Sequence, residues 1–156
     1  MISSAHLAVL RRIHARLSNS EVNWVLTGGL AFAIQGVAVE PDDIDLQTDE
    51  AGAYEIERLF SEFVVSRVAF RCADRIRSHL GELMIDGIRI EVMGDIEKRL
   101  ADGTWEPVDL KQHERFVEVE GMRVPVLSLE YEHQAYLKLG RTGKARILER
   151  HLRQKG

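Results

Sequence analysis

The stretch from Val22 to Leu46, VNWVLTGGLAFAIQGVAVEPDDIDL, constrains this chain more than any other. Val22 to Thr27 has the length and β-rich content of a buried strand. Gly28-Gly29 then makes a corner, and Leu30 to about Gln35 reads as a short apolar helix. In the strand that follows, Asp43 and Asp45 alternate with Ile44 and Leu46. Residues two apart in a strand share a face, so both carboxylates point one way and both apolar side chains point into a core. Strand interiors disfavour Asp, and two acids side by side repel each other unless a cation lies between them. A hard divalent ion with oxygen ligands is the usual answer. Glycines let backbone N–H groups approach an anion, and a helix start favours negative charge. A metal-bound nucleoside triphosphate would suit both halves of the stretch.

The rest of the chain is compatible with that reading. Its 156 residues, 45% hydrophobic and 29% charged, suit one globular domain with a real core. A net charge of −4 argues against general nucleic-acid coating. Cys72 is the only cysteine, so no intrachain disulfide can form and a reducing, cytoplasmic setting is expected. The start lacks the basic-then-apolar order of a secretory signal, and no apolar run nears the roughly 18 residues of a membrane span.

Residues 3–18 carry Leu7, Leu10, Ile13 and Leu17 at helical spacing, a packing helix capped by Ser3 or Ser4. A second helix is expected from Asp49-Glu50 to about Ser61, then a strand from Phe63 to Phe70 and a polar loop over Arg71–His79. Asp86-Gly87 is a hairpin turn joining Leu80–Asp86 to Gly87–Met93. On its second arm Ile88, Ile90 and Val92 share the core face, and Arg89, Glu91 and Met93 share the other. Should that arm lie beside the Asp43/Asp45 strand, three carboxylates converge. Gly94-Asp95 is expected to end it, with a short helix over Ile96–Leu100 and a loop over Ala101–Pro107. A second hairpin turns at Glu120-Gly121, and Pro125 marks its second arm as an edge strand. From Ser128 a helix runs to Leu139, and Gly140-Arg-Thr-Gly143 separates it from a last, basic helix reaching Leu152.

The order of these pieces resembles the signature of the nucleotidyltransferase superfamily with the DNA polymerase β-like fold. The matching residues are Thr27-Gly28-Gly29 after an apolar strand, Asp43-Ile44-Asp45, and Glu91 within Ile88–Met93. The resemblance implies an α+β fold: a mixed β-sheet with flanking helices and a C-terminal helical segment, in a single domain over 1–156. It implies metal-dependent transfer of a nucleoside monophosphate from an NTP, ATP included, to an acceptor, with release of pyrophosphate. Asp43, Asp45 and Glu91 would be the catalytic acids and hold Mg2+ or Mn2+. Thr27, Gly28 and Gly29, with Lys138, Arg141 and Lys144 of the basic segment, would bind the nucleotide. The acceptor, whether small molecule, protein or RNA, is not legible, and a homodimer or partner protein could complete its site. The alternative is a non-catalytic nucleotide-binding or regulatory module of the same fold, which would have no need of a third acid.

Overall fold

The computed structural model describes residues 2–155, with Lys155 by its backbone alone. Helix α1 (Ser4–Ser18) buries Val9, Leu10, Ile13 and Leu17, and the Ser3 hydroxyl caps it by accepting from the His6 N–H at 3.1 Å. Strand β1 (Trp24–Thr27) is buried along its whole length. Helix α2 (Gly28–Ile34) includes the two glycines, so the corner and the helix start coincide. Strand β2 (Ile44–Thr48) then leads into α3 (Glu50–Leu59), whose first turn is closed by Asp49 accepting from the Gly52 N–H at 2.6 Å.

Strands β3 (Val64–Cys72), β4 (Ile76–Ile85) and β5 (Ile88–Arg99) follow as a meander. Asp86 and Gly87 both take positive φ, 49° and 80°, which matches the hairpin expected there. Three expectations fail in this region. The polar segment Arg71–His79 is mostly strand, with Arg71 opposite Ser78 and Cys72 opposite Arg77, because cross-strand pairing overrides a polar composition. Ile96–Leu100 is no helix either. Asp95 takes φ 49° and the β4–β5 register shifts between Arg77 and His79, so the strand passes through a bulge and continues to Arg99. Part of the supposed loop also pairs, as β6 (Trp105–Pro107), against the far end of β5.

A short helix α4 (Leu110–His113) leads to the hairpin β7 (Glu114–Val119) and β8 (Met122–Leu127). Helices α5 (Leu129–Lys138) and α6 (Thr142–Lys155) end the chain, with the Ser128 hydroxyl accepting from the Tyr131 N–H at 3.1 Å and Gly140 turning between them at φ 74°. The strands form one eight-stranded mixed sheet in the order β3-β4-β5-β2-β1-β8-β7, with β6 attached to β5. Pro125 is therefore not on an edge strand. Strand β8 lies inside the sheet, but its pairing with β1 is confined to Leu26 opposite Val126, so no ladder bond is asked of the missing proline N–H.

The two faces of the sheet differ. Ile44, Leu46, Ile90 and Val92 are buried under α1 and α3 together with Leu10, Ile13, Ile56 and Phe60. Fully burying each such side chain contributes roughly 1.5–3 kcal/mol. On the opposite face, α2, α5 and α6 pack through Phe32, Tyr136 and Leu148 and leave the sheet uncovered beside β2 and β5. No helix among the described residues is long and apolar enough to cross a membrane.

Candidate active site

Strands β2 and β5 pair in parallel with Asp45 opposite Glu91, and Ile44 opposite Ile90. That register brings all three sequence-derived acids to the uncovered face, because the alternation sending Ile44 and Ile90 into the core sends Asp45 and Glu91 the other way. Asp43 stands one residue before β2, where the His6 ring nitrogen Nε2 lies 2.7 Å from the neighbouring Asp42 carbonyl oxygen.

Burial, then the nearby Glu91 and Asp43 carboxylates, pushes Asp45 up to about 7, against the pull of Lys144 and Arg89. A cation placed among these acids would relieve that repulsion. In the protein alone the cation is Arg89. Its guanidinium donates to Asp43 Oδ2 at 3.2 Å and to Glu91 Oε1 at 3.2 Å, and reaches within 3.5 Å of Glu82 Oε1. Among the described residues no three His, Cys, Asp or Glu side chains form a ready-made metal cage. The donor set still fits a small hard ion. Mg2+ characteristically takes one or two carboxylates and completes its shell with water and substrate phosphate oxygens.

Two cavities meet at this row of acids. The inner one, about 420 Å³, lies between the sheet and α5 and is bordered by Asp45, Glu91, Met93, Lys98, Glu132 and Arg141. The outer one, about 370 Å³, is bordered by Gly29, Phe32, Asp42, Asp43 and Ile147. Asp45 and Lys144 line both.

The glycine corner is built differently from the sequence expectation. Gly28 has φ 75°, and a Cβ there would run into the Asp45 carboxylate, so this position requires glycine. Its N–H is already engaged, donating to Glu132 Oε2 at 3.2 Å, while the Thr27 hydroxyl donates to Glu132 Oε1 at 2.7 Å. Thr27 and Gly28 thus hold a buried side chain of their own protein, whereas Gly29 faces the outer cavity. Burial pushes Glu132 up to about 7, opposed by those two hydrogen bonds.

The basic segment divides. Arg141 and Lys144 line the inner cavity, and the Lys144 ammonium lies 5.6 Å from the centre of the Tyr136 ring. Lys138 does not join them. The helix breaks at Gly140, which rotates Lys138 away from the other two, and its ammonium is paired with Glu106 Oε1 at 2.8 Å.

Glu132 and Lys98 were not singled out from sequence. Glu132 had a legible signal: with Leu129 and Tyr136 it completes an i, i+3, i+7 stripe, a charged residue in a buried series. Lys98 had none. Only the bulge at Asp95 turns Ile96 and Lys98 onto the face shared by Glu91 and Met93.

The family profile described as aminoglycoside-2''-adenylyltransferase matches residues 9–152. A solved structure of a candidate nucleotidyltransferase from Thermotoga maritima, TM1012, is 63% identical, covering 99% of this chain and 96% of that one, with a TM-score of 0.87. The lincosamide antibiotic adenylyltransferase LnuA, with lincomycin bound, is 12% identical over 95% of this chain and 97% of its own, with a TM-score of 0.58. ANT(2'')-Ia in complex with adenylyl-2''-tobramycin is 17% identical over 96% of this chain and 90% of its own, with a TM-score of 0.61. At these last two identities the likeness is one of fold. No curated protein sequence matches the chain significantly.

Proposed function

The chain belongs to the aminoglycoside-2''-adenylyltransferase family and is a nucleotidyltransferase, and we propose that it moves AMP from Mg2+-bound ATP to a hydroxyl of a small-molecule acceptor. The observation that carries this reading is the pair of cavities meeting at Asp45 and Lys144. In-line displacement at phosphorus needs the entering and leaving oxygens on opposite sides. Gly29 and Asp43 border only the outer cavity, which suits the triphosphate, and Glu91 borders only the inner one, which suits the acceptor.

The acceptor oxygen bonds to the α-phosphorus as the bond to the β-phosphate oxygen breaks, so pyrophosphate leaves and the hydroxyl loses its proton. Glu91, which borders the inner cavity, would help take that proton, directly or through the metal. Asp43, Asp45 and Glu91 would hold the divalent ion, which when bound supplies charge neutralisation at the phosphate oxygens. Lys144, on the boundary between the cavities, adds fixed positive charge where the α-phosphate must lie, and Arg141 offers two-pronged donation to phosphate from the inner side. The single cysteine, Cys72, is in keeping with a cytoplasmic enzyme.

The test uses α-labelled ATP with a panel of hydroxylated acceptors, in wild type, Asp43→Asn and Asp45→Asn. Transfer should fall at least about a hundredfold in both variants, with the fold unchanged by circular dichroism. Full transfer activity in a well-folded Asp45→Asn protein would remove these acids from the reaction.

A further inference from the structure

The charge of the inner cavity points to the chemistry of its occupant. We infer that the acceptor is an uncharged or anionic hydroxylated molecule, bound with an oxygen acceptor on Lys98 and Tyr131, and not a polycationic amino sugar. This rests on the nucleotidyltransferase reading above, and it departs from the acceptor class that the family's name suggests.

A polycation needs free carboxylates around it. Among the described residues the carboxylates on the inner wall belong to Asp45, Glu91 and Glu132. The first two are committed to the reaction's metal. Glu132 is occupied within the protein, one oxygen accepting from the Thr27 hydroxyl at 2.7 Å and the other from the Gly28 N–H at 3.2 Å. Against them stand four cations on the same wall: Arg71, Lys98, Arg141 and Lys144. Arg141 and Lys144 neighbour the acids and serve the phosphates. Arg71 and Lys98 remain for the acceptor.

Lys98 is the more telling of the two. It is 2% exposed, a burial that lysine rarely accepts unless paired. Its ammonium donates to the Tyr131 hydroxyl at 2.8 Å, and no carboxylate oxygen lies within salt-bridge distance of it among the described residues. An ammonium carries three donors, so Lys98 retains donor capacity beside the cavity. Tyr131 is itself fixed by stacking on His113, with ring centroids 4.0 Å apart. Apolar side chains also border this cavity, including Leu80, Met93, Ile96 and Leu139. A molecule with an apolar body, a hydroxyl at the Glu91 end and an oxygen acceptor at the Lys98 end satisfies each surface. An ammonium group at Lys98 would meet a like charge in a site screened from water.

The experiment compares 3-(4-hydroxyphenyl)propionate with 3-(4-hydroxyphenyl)propylamine, one hydroxylated body with opposite charges, and adds tobramycin as the polycation. Binding is followed by ligand-observed NMR and calorimetry, with and without Mg2+ and a non-hydrolysable ATP analogue. The wild type should bind the acid at least about tenfold more tightly than either amine, and Lys98→Met should abolish that preference through a loss of roughly ten- to a hundredfold for the acid. Binding of the ATP analogue should be the same in both proteins. Tobramycin or the amine binding as tightly as the acid overturns the inference, as does acid binding untouched by Lys98→Met. If Lys98→Met does not fold, the acid-to-amine ratio of the wild type decides alone. Failure to bind the ATP analogue would instead strike at the nucleotidyltransferase reading, since the nucleotide-free comparison still reports on the cavity's charge.

Discussion

The Thr27 hydroxyl at the end of β1 donates a 2.7 Å hydrogen bond to Glu132 on α5, across 105 residues of sequence. With the Gly28 N–H it ties the corner beside Asp45 to the helical layer that carries Arg141 and Lys144. Glu132→Ala would leave that hydroxyl and N–H buried without an acceptor, at a cost of about 1–3 kcal/mol each. Glu132→Gln can still accept from Gly28 and donate to Thr27, so it should be far less damaging. Urea denaturation of both variants checks this, and equal stability would deny the tie any role.

A pH dependence follows from the same residue. Burial holds the Glu132 proton up to about 7, against an ordinary value of 4.5. Between those values the folded protein keeps a proton that the unfolded chain has released, so stability falls as pH rises through the window. Glu132→Gln should reduce that fall. Denaturation curves taken across the window would show it as a shallower slope, and an unchanged slope would exclude Glu132 as its source.

The two glycines should respond differently to alanine. Gly28→Ala adds a side chain at φ 75° against the Asp45 carboxylate, costing about 1–2 kcal/mol for the backbone alone and displacing Asp45. Gly29→Ala places its Cβ 3.7 Å from the Pro41 Cα, an ordinary contact, and should alter stability by about 0.5 kcal/mol or less. Melting temperatures and transfer rates of the pair provide the check. A Gly28→Ala protein with wild-type stability and rate would contradict the close approach.

Arg141→Ala and Lys144→Ala should each weaken ATP binding by roughly ten- to a hundredfold, the loss of one charge-assisted contact. Lys138→Ala should leave it near the wild-type value, since that side chain is spent on Glu106. Titration with a fluorescent ATP analogue separates the three. Equal losses in all three would mean that the segment acts as diffuse positive charge.

Arg89 bridges Asp43, Glu82 and Glu91 where a divalent ion would also be drawn. Removing it as Arg89→Ala should lower stability in chelator and increase the stabilisation gained on adding Mg2+, because the ion then has no internal competitor. Thermal melts with and without Mg2+ measure both effects. A variant with the same Mg2+-induced shift as wild type would show that Arg89 does not compete for the site.

Local pattern alone carried much of this protein. Alternation placed Ile44, Leu46, Ile90 and Val92 in the core and sent Asp43, Asp45, Arg89 and Glu91 the other way, because a strand's side chains have a period of two. The Asp86-Gly87 turn, the Ser128 cap and Leu10, Ile13 and Leu17 of α1 were equally legible, each depending on neighbours within a few residues, although Val9 and not Leu7 completes the buried stripe. What tertiary structure decided were the relations without a local signature. The parallel register of β2 and β5 sets Asp45 beside Glu91, the Asp95 bulge turns Lys98 into the inner cavity, and Gly140 parts Lys138 from Arg141 and Lys144. The occupation of Thr27 and Gly28 by Glu132 belongs with these. A hydrogen bond between groups 105 residues apart is set by how helices and sheet pack, and packing depends on the whole chain at once.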